Sequence, residues 1–223
     1  MSDVTKISLQ SRVDGFSFGA ARAKPAGATL GGVVVIQEIF GISPHIETMC
    51  RAFADAGYDA IAPSLFDRVE KDFSADHSPE GIQKGIGAVM KSPWDQVAGD
   101  IQAAIDALPA PRFAVGFCWG GAAAWVAAAR CTDLRAVSCF YGRMITDLLG
   151  DKRKAPPMFH YGARDASIPM EAVERVRAAA PDWPLYLYDA GHGFCREGSA
   201  DYNETARDLA MSRTLDWFAR WRT

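Results

Sequence analysis

One short stretch of the chain decides the fold, and it reads Gly116-Phe117-Cys118-Trp119-Gly120-Gly121. The apolar run Arg112–Val115 before it is typical of a buried strand, and the alanine-rich run Gly120–Arg130 after it is typical of a helix. A reactive side chain between glycines at a strand-to-helix junction has the form of a nucleophile elbow, here with cysteine in the serine position. The glycines are needed because side chains there would collide with the neighbouring strand and helix.

Working outward from this junction, strands alternate with helices. Apolar runs predict further strands at Gly32–Gln37, Tyr58–Ala62, Ala136–Tyr141, Met158–Tyr161 and Leu185–Tyr188. Amphipathic patterns predict further helices from Ser43-Pro44 to Gly57, and over Val97–Leu108, Glu171–Ala180 and Ala206–Trp221. Two weaker runs, Ile7–Gln10 and Phe16–Ala20, predict an antiparallel hairpin at the sheet edge, and the polar stretch Asp67–Pro79 predicts a surface loop. This order predicts an α/β fold with a mostly parallel sheet and helices on both faces.

Length and composition limit the classes of protein that fit. The chain has 223 residues, 49% of them hydrophobic, and a net charge of −3, so we expect one domain over residues 1–223 and no nucleic-acid partner. No apolar run is long enough to cross a membrane, and the N-terminus lacks the apolar stretch of a signal peptide. The five cysteines show no CxxC spacing, which favours free thiols in a reducing compartment. We therefore expect a cytoplasmic monomer without a metal site.

Two polar residues follow other predicted strands and suit the roles of base and acid. His192 lies after the strand Leu185–Tyr188, and Asp165 lies directly after the strand Met158–Tyr161. The carboxyl ends of parallel strands meet at one edge of the sheet, so both side chains are expected near Cys118. The chain order nucleophile, acid, base is that of the α/β-hydrolases. The sequence thus predicts a triad in which the aspartate orients the histidine and the histidine activates the thiol.

Further candidates lie at the same edge. Glu38 follows the buried run Val33–Gln37, and a buried carboxylate there needs a partner, for which Arg196 is available four residues after the histidine. The backbone N–H groups of Ile39 and Trp119 are the predicted oxyanion donors. The position at a helix N-terminus favours the thiolate form of the cysteine.

These residues resemble the dienelactone hydrolases, a family of the α/β-hydrolase superfamily that is also called carboxymethylenebutenolidases. The resemblance covers nearly the whole chain and is carried by the segments Gln37–Gly41, Ala62–Phe66, Gly116–Gly121, Phe140–Gly142, Gly162–Asp165 and Ala190–Phe194. It implies the α/β-hydrolase fold without a large cap domain, and a triad formed by Cys118, His192 and Asp165. It also implies that Glu38, with Arg196 as its partner, helps to generate the thiolate, and that no cofactor or metal takes part. The reaction that the family implies opens a small lactone or ester.

The substrate is less closely defined by this resemblance. The expected pocket residues are Phe40, Tyr141, Gly193 and Phe194. Lactone-specific members hold a substrate carboxylate with basic residues, one of them near residues 75–90, where this chain has only Lys84 and no arginine. The residue after the catalytic histidine is Gly193, at a position where a small hydroxyl residue could have bound the substrate. Two alternatives therefore stay open: a non-catalytic binding or regulatory protein on the same fold, and a thiol esterase or thioesterase with a non-lactone substrate.

Overall fold

Eight strands join in one sheet in the computed structural model, which describes residues 2–150 and 152–223. They are β1 (Val4–Gln10), β2 (Ser17–Ala23), β3 (Gly32–Ile36), β4 (Asp59–Pro63), β5 (Arg112–Phe117), β6 (Leu134–Phe140), β7 (Pro157–Gly162) and β8 (Leu185–Tyr188). Their spatial order is β1-β2-β4-β3-β5-β6-β7-β8. Strands β3 to β8 are parallel, whereas β1 and β2 pair antiparallel at the edge. The predicted α/β class, mostly parallel sheet and edge hairpin are confirmed.

The helices agree with the predicted ones to within a few residues at each end. In the described residues they are α1 (Pro44–Asp55), α2 (Pro79–Met90), α3 (Trp94–Asp106), α4 (Trp119–Arg130), α5 (Met170–Ala179) and α6 (Glu204–Arg220), with a short 3₁₀ helix over Arg143–Asp147. The sequence reading did not predict α2 or the 3₁₀ helix. The predicted loop Asp67–Pro79 is confirmed, and α2 begins at its last residue.

Burial explains why the apolar runs form strands. Every residue of β3 is buried, because β3 lies between β4 and β5 and helices cover the sheet. Phe218 of α6 stacks on Phe113 of β5 and also contacts Phe53 of α1, which joins two helices to one face. Trp94 of α3 stacks on Trp119 at the start of α4 on the other face. Helices on both faces are thus confirmed.

The parallel strands bring four of the predicted site residues to one edge of the sheet. Glu38 follows β3, Cys118 follows β5, Asp165 follows β7 and His192 follows β8. Because these strands run in the same direction, the four side chains leave the sheet on the same side.

The predicted strand Tyr58–Ala62 corresponds to β4, which extends one residue further, to Pro63, and Pro63 pairs with Ala20 of β2. In the described part of the chain, no helix is long and apolar enough to cross a membrane. The division into one domain over residues 1–223, a range that includes Met1 and Asp151 outside the described residues, stays a prediction.

Candidate active site

Cys118 lies in a strained turn between β5 and α4. Its φ of 55° and ψ of −118° are unusual for a residue with a side chain, and its N–H donates to the carbonyl oxygen of Phe140 at 3.1 Å. A side chain at Gly116 would overlap the carbonyl oxygen of Gly120. A side chain at Gly120 would in turn overlap the carbonyl oxygen of Gln37. The glycines therefore let the turn approach β3 and the start of α4 closely.

The structure brings the three residues of the predicted triad into one chain of contacts. Nε2 of His192 lies 3.2 Å from Sγ of Cys118, and Nδ1 of His192 lies 2.6 Å from Oδ2 of Asp165. The Asp165 side chain is fully buried, whereas the imidazole is 28% exposed. The imidazole is therefore held on one nitrogen and presents the other to the thiol.

Ser167 is a polar neighbour that the sequence reading missed. Its Oγ donates to Oδ1 of Asp165 at 2.6 Å, its N–H donates to the same oxygen at 2.8 Å, and its Oγ lies 3.1 Å from Nδ1 of His192. The signal that was available is the spacing of an aspartate and a serine two residues apart, which is typical of a turn closed by an aspartate side chain. Ser167 thus fixes the carboxylate that holds the imidazole.

The charges of His192 and Asp165 shift each other's pKa values. Burial disfavours the imidazolium, but the hydrogen bonds to Asp165 and Cys118, together with their negative charges, outweigh burial and raise the pKa of His192 to about 10. Burial also works against the charged form of Asp165, yet hydrogen bonds from His192 and Ser167 lower the pKa of that carboxyl. The arrangement favours a carboxylate beside an imidazolium.

Glu38 is buried and lines the same cleft as Cys118. Only 1% of its side chain is exposed, and Nη1 of Arg196 lies 3.7 Å from its Oε1. Burial raises the pKa of Glu38, and the positive charges of Arg196 and His192 offset only part of that effect. The carboxyl group can therefore hold a proton more readily than an exposed glutamate.

A cleft of about 630 Å³ opens above these groups. It is lined by Glu38, Ile39, Phe40, Ile82, Ile86, Val89, Met90, Cys118, Trp119, Arg143, Met144, Asp147, Ser167, His192 and Arg196. Trp119 is the first residue of α4, so its N–H has no partner within the helix and can serve a ligand. A second cavity, of about 510 Å³, lies near the amino ends of β5 and β6, at the opposite edge from the triad residues.

The predicted pocket residues lie in two different places. Phe40 lines the cleft. Tyr141, Gly193 and Phe194 are buried and are not among the lining residues. The Tyr141 ring packs edge-on to the His192 imidazole with centroids 5.1 Å apart, and Phe194 packs on Tyr141 at 5.3 Å. These aromatic rings therefore support the imidazole from beneath.

One wall of the cleft comes from α2, which the sequence reading did not anticipate. The available signals were a serine N-cap with proline at the first helical position, and isoleucines at 82 and 86 followed by a valine at 89, which share one helical face. The Ser78 side chain accepts the N–H of Gly81 at 3.0 Å and so caps the helix.

The remaining reactive residues lie away from the thiol or have other partners. Asp189 also precedes His192 in the sequence and could have been the acid, but it pairs with Arg164 at 3.0 Å and is 85% exposed. His160 is buried and contacts the hydroxyls of Tyr188 and Thr214. In residues 2–150 and 152–223 no group of three or more His, Cys, Asp or Glu side chains could hold a metal ion.

The comparison with known proteins decides the family. The model of the dienelactone hydrolase family matches residues 18–221. The chain belongs to this family. A carboxymethylenebutenolidase of Pseudomonas putida is 33% identical over 227 residues, which cover 96% of this chain and 95% of that protein.

Solved structures agree with this assignment. A Klebsiella pneumoniae protein assigned as a dienelactone hydrolase superposes with a TM-score of 0.85 and 30% identity, covering 98% of this chain and 100% of that chain. This dienelactone hydrolase family member therefore has the α/β-hydrolase fold, and its described residues show no large cap domain. It is a hydrolase that acts on ester or lactone bonds.

Proposed function

We propose that this hydrolase cleaves a small-molecule ester or lactone through Cys118, His192 and Asp165, with a thioester intermediate. One observation carries the proposal: the contacts from Sγ to Nε2 at 3.2 Å and from Nδ1 to the carboxylate at 2.6 Å form an unbroken path. A nucleophile, a base and an orienting acid within hydrogen-bond distance are the requirements of nucleophilic acyl transfer.

The first half of the reaction transfers the acyl group to sulfur. The Cys118 thiolate attacks the carbonyl carbon, and the carbonyl electron pair moves to oxygen, where the N–H groups of Ile39 and Trp119 stabilise the oxyanion. When the intermediate collapses, the bond to the leaving oxygen breaks. The His192 imidazolium gives its proton to that oxygen, which leaves as an alcohol.

The second half returns the enzyme to its starting state. The neutral imidazole takes a proton from water while the water oxygen attacks the thioester carbon. Collapse of this second intermediate breaks the carbon–sulfur bond, so a carboxylic acid leaves and Cys118 is again a thiolate beside an imidazolium. With a lactone, the leaving alcohol stays attached to the acyl group, so water must compete with ring closure.

Glu38 supplies a second place for the thiol proton. In molecules where Cys118 still holds its proton, the raised pKa of Glu38 and its burial in the same cleft support transfer of that proton to the carboxylate as substrate binds. Arg196 then limits the cost of the buried negative charge before that transfer.

We also propose that the protein works in a reducing compartment. All five cysteines are free, and four of them are buried, which supports a reducing compartment such as the cytoplasm. The monomeric state stays a prediction.

The test compares the wild type with Cys118→Ala on 4-nitrophenyl acetate and on dienelactone, with Cys131→Ala as a control for loss of a buried thiol. We expect turnover by the wild type and the control, and none by Cys118→Ala. Limited iodoacetamide treatment of the native protein should label Cys118 alone, because the other cysteines are buried. If the wild type hydrolyses neither compound and Cys118 is alkylated no faster than a free thiol, the non-catalytic binding protein becomes the better explanation.

A further inference from the structure

Helix α2 lies unusually close to the loop that carries Ile39. Gly85 faces this loop, and a side chain at that position would lie 2.5 Å from the carbonyl oxygen of Ile39. Gly81 and Ala88, on the same side of the helix, are also buried. Small residues on this side therefore set the helix against the loop. The adjoining side of α2 faces the cleft.

That adjoining side is apolar. The residues of this side that line the cleft are Ile82, Ile86, Val89 and Met90. Of these, Ile82 is 37% exposed, Ile86 is 41% exposed and Met90 is 82% exposed. In the described residues eight large hydrophobic side chains are exposed, and these three are the ones that line the cleft. Exposed apolar surface gathered in one concave place marks a ligand site.

The same helix contributes no charge to the cleft. Lys84 points elsewhere: its Nζ lies 3.0 Å from Oε1 of Glu70, donates to the carbonyl oxygen of Ser74 at 2.9 Å and lies over the Phe73 ring. It is not among the residues that line the cleft.

Besides His192, the charged residues that line the cleft fall into two pairs of opposite sign, Glu38 with Arg196 and Arg143 with Asp147. Arg196 lies 3.7 Å from the buried carboxylate of Glu38. Arg143 and Asp147 lie on the 3₁₀ helix, line the cleft and have opposite signs. Their formal charges cancel, so this wall does not select an anion by net charge. Met144 lies between them on the same wall and adds apolar surface.

Resting on the proposed function, we infer that the substrate is an ester or lactone with a neutral, apolar acyl group that lies along α2. Ile82, Ile86 and Val89 are its specificity-determining residues. Each methylene removed from water against α2 favours binding, whereas a carboxylate placed against α2 would lose its hydration without gaining a cation from that helix. In this preference for a neutral acyl group, the protein differs from an enzyme that selects a carboxylate-bearing lactone.

The first test compares 4-nitrophenyl acetate, butyrate and hexanoate with mono-4-nitrophenyl glutarate, using Cys118→Ala as the blank. We expect kcat/KM to rise about two- to fourfold per methylene, and the glutarate ester to be cleaved at least about tenfold less efficiently than the hexanoate. In Ile86→Arg the rise with chain length should disappear and the glutarate ester should gain. The matched control is Leu209→Arg, a change of an exposed apolar side chain on α6 outside the cleft, which should leave the series unchanged.

A second readout needs no ester turnover. The rate at which Cys118 reacts with N-hexylmaleimide, relative to N-ethylmaleimide and 6-maleimidohexanoate, reports whether the wall attracts an apolar or an anionic chain. The wild type should prefer the hexyl reagent, and Ile86→Arg should prefer the carboxylate.

The outcomes separate the inference from the proposed function. If acetate is hydrolysed in a Cys118-dependent way but neither readout depends on chain length, the inference is wrong and the proposed function stands. A preference for the glutarate ester that Arg143→Gln abolishes would show that Arg143 holds a substrate carboxylate, and this also overturns the inference. If no ester is cleaved, the proposed function fails, and the maleimide rates alone decide what the wall binds.

Discussion

Glu38 and Arg196 approach each other without closing a tight ion pair. Oε1 of Glu38 lies 3.7 Å from Nη1 of Arg196, and Oε2 of Glu38 has no hydrogen-bond partner among the described residues. A buried carboxylate that is only partly compensated is destabilising when charged. The charged form of Glu38 therefore lowers the stability of the fold, while its carboxylate serves the proposed reaction as a proton acceptor.

Glu38→Gln should separate stability from activity. Burial raises the pKa of Glu38, so the folded state holds its proton more tightly than the unfolded state does. The carboxyl therefore favours folding most at low pH, and this contribution is lost as the pH rises through the raised pKa. At neutral pH the glutamine should make the free energy of unfolding equal or up to about 1 kcal/mol higher, while kcat/KM falls about 10²-fold.

Urea unfolding and ester kinetics at neutral pH measure the two effects. Glu171→Gln, at an exposed glutamate in the first turn of α5, is the matched control and should change neither quantity. A Glu38→Gln protein that unfolds more easily than the wild type would contradict the argument from burial.

Asp165→Asn should lower kcat by about 10²- to 10⁴-fold, because an amide can donate to Nδ1 and so favour the wrong tautomer of His192. Ser167→Ala should cost about tenfold, since Asp165 loses the hydroxyl bond but keeps the one from the N–H of residue 167. Steady-state kinetics with 4-nitrophenyl acetate measure both. Asp189→Asn, at the acid that pairs with Arg164 instead, should retain full activity. Equal losses in the two aspartate variants would contradict the assignment of the acid.

The stability that His192 contributes should depend on pH in the alkaline range. Its pKa is raised from 6.5 to about 10, so the folded state binds the proton more tightly. The contribution is present in full below the unfolded pKa and is lost as the pH rises through about 10. The difference in the free energy of unfolding between the wild type and His192→Gln should therefore shrink from about pH 6 to about pH 10.5.

Cys118→Ala is the informative companion variant for that measurement. The thiol is the second hydrogen-bond partner that raises the pKa of His192, so its removal should move the loss of stability to lower pH. A difference that stays constant across the range would show that the imidazole does not gain its proton from these partners.

Gly116→Ala should destabilise the protein by at least about 3 kcal/mol, because the new methyl group would overlap the carbonyl oxygen of Gly120 in the buried turn. Thermal and urea unfolding measure the change. Gly27→Ala is the control, since nothing lies within 4 Å of the added atom, and it should stay within about 0.5 kcal/mol of the wild type. Similar stability of the two variants would contradict the steric explanation of the elbow.

Most of the fold could be predicted, because strands buried on both faces leave continuous apolar runs and surface helices leave a 3.6-residue period. Helix α2 was missed for a physical reason. It contains Gly81, Gly85 and Gly87, and glycine is unfavourable inside a helix, so the sequence of this segment predicts a helix only weakly. The contact of Gly85 with Ile39 explains why a glycine is retained there, and that contact is invisible in the sequence.

By itself, the sequence determined the elbow at Cys118 and the positions of Asp165 and His192 at strand ends, because local sterics and strand direction settle both. The tertiary structure alone decided which side chains form the walls of the cleft. It brought Ile86, from a helix distant in sequence, into the same cleft as the thiol, and it buried Tyr141 beneath the imidazole although Tyr141 also follows a strand. The physical reason is that a local pattern records the backbone and the burial of one segment. The walls of a cleft depend instead on how segments far apart in the chain pack together.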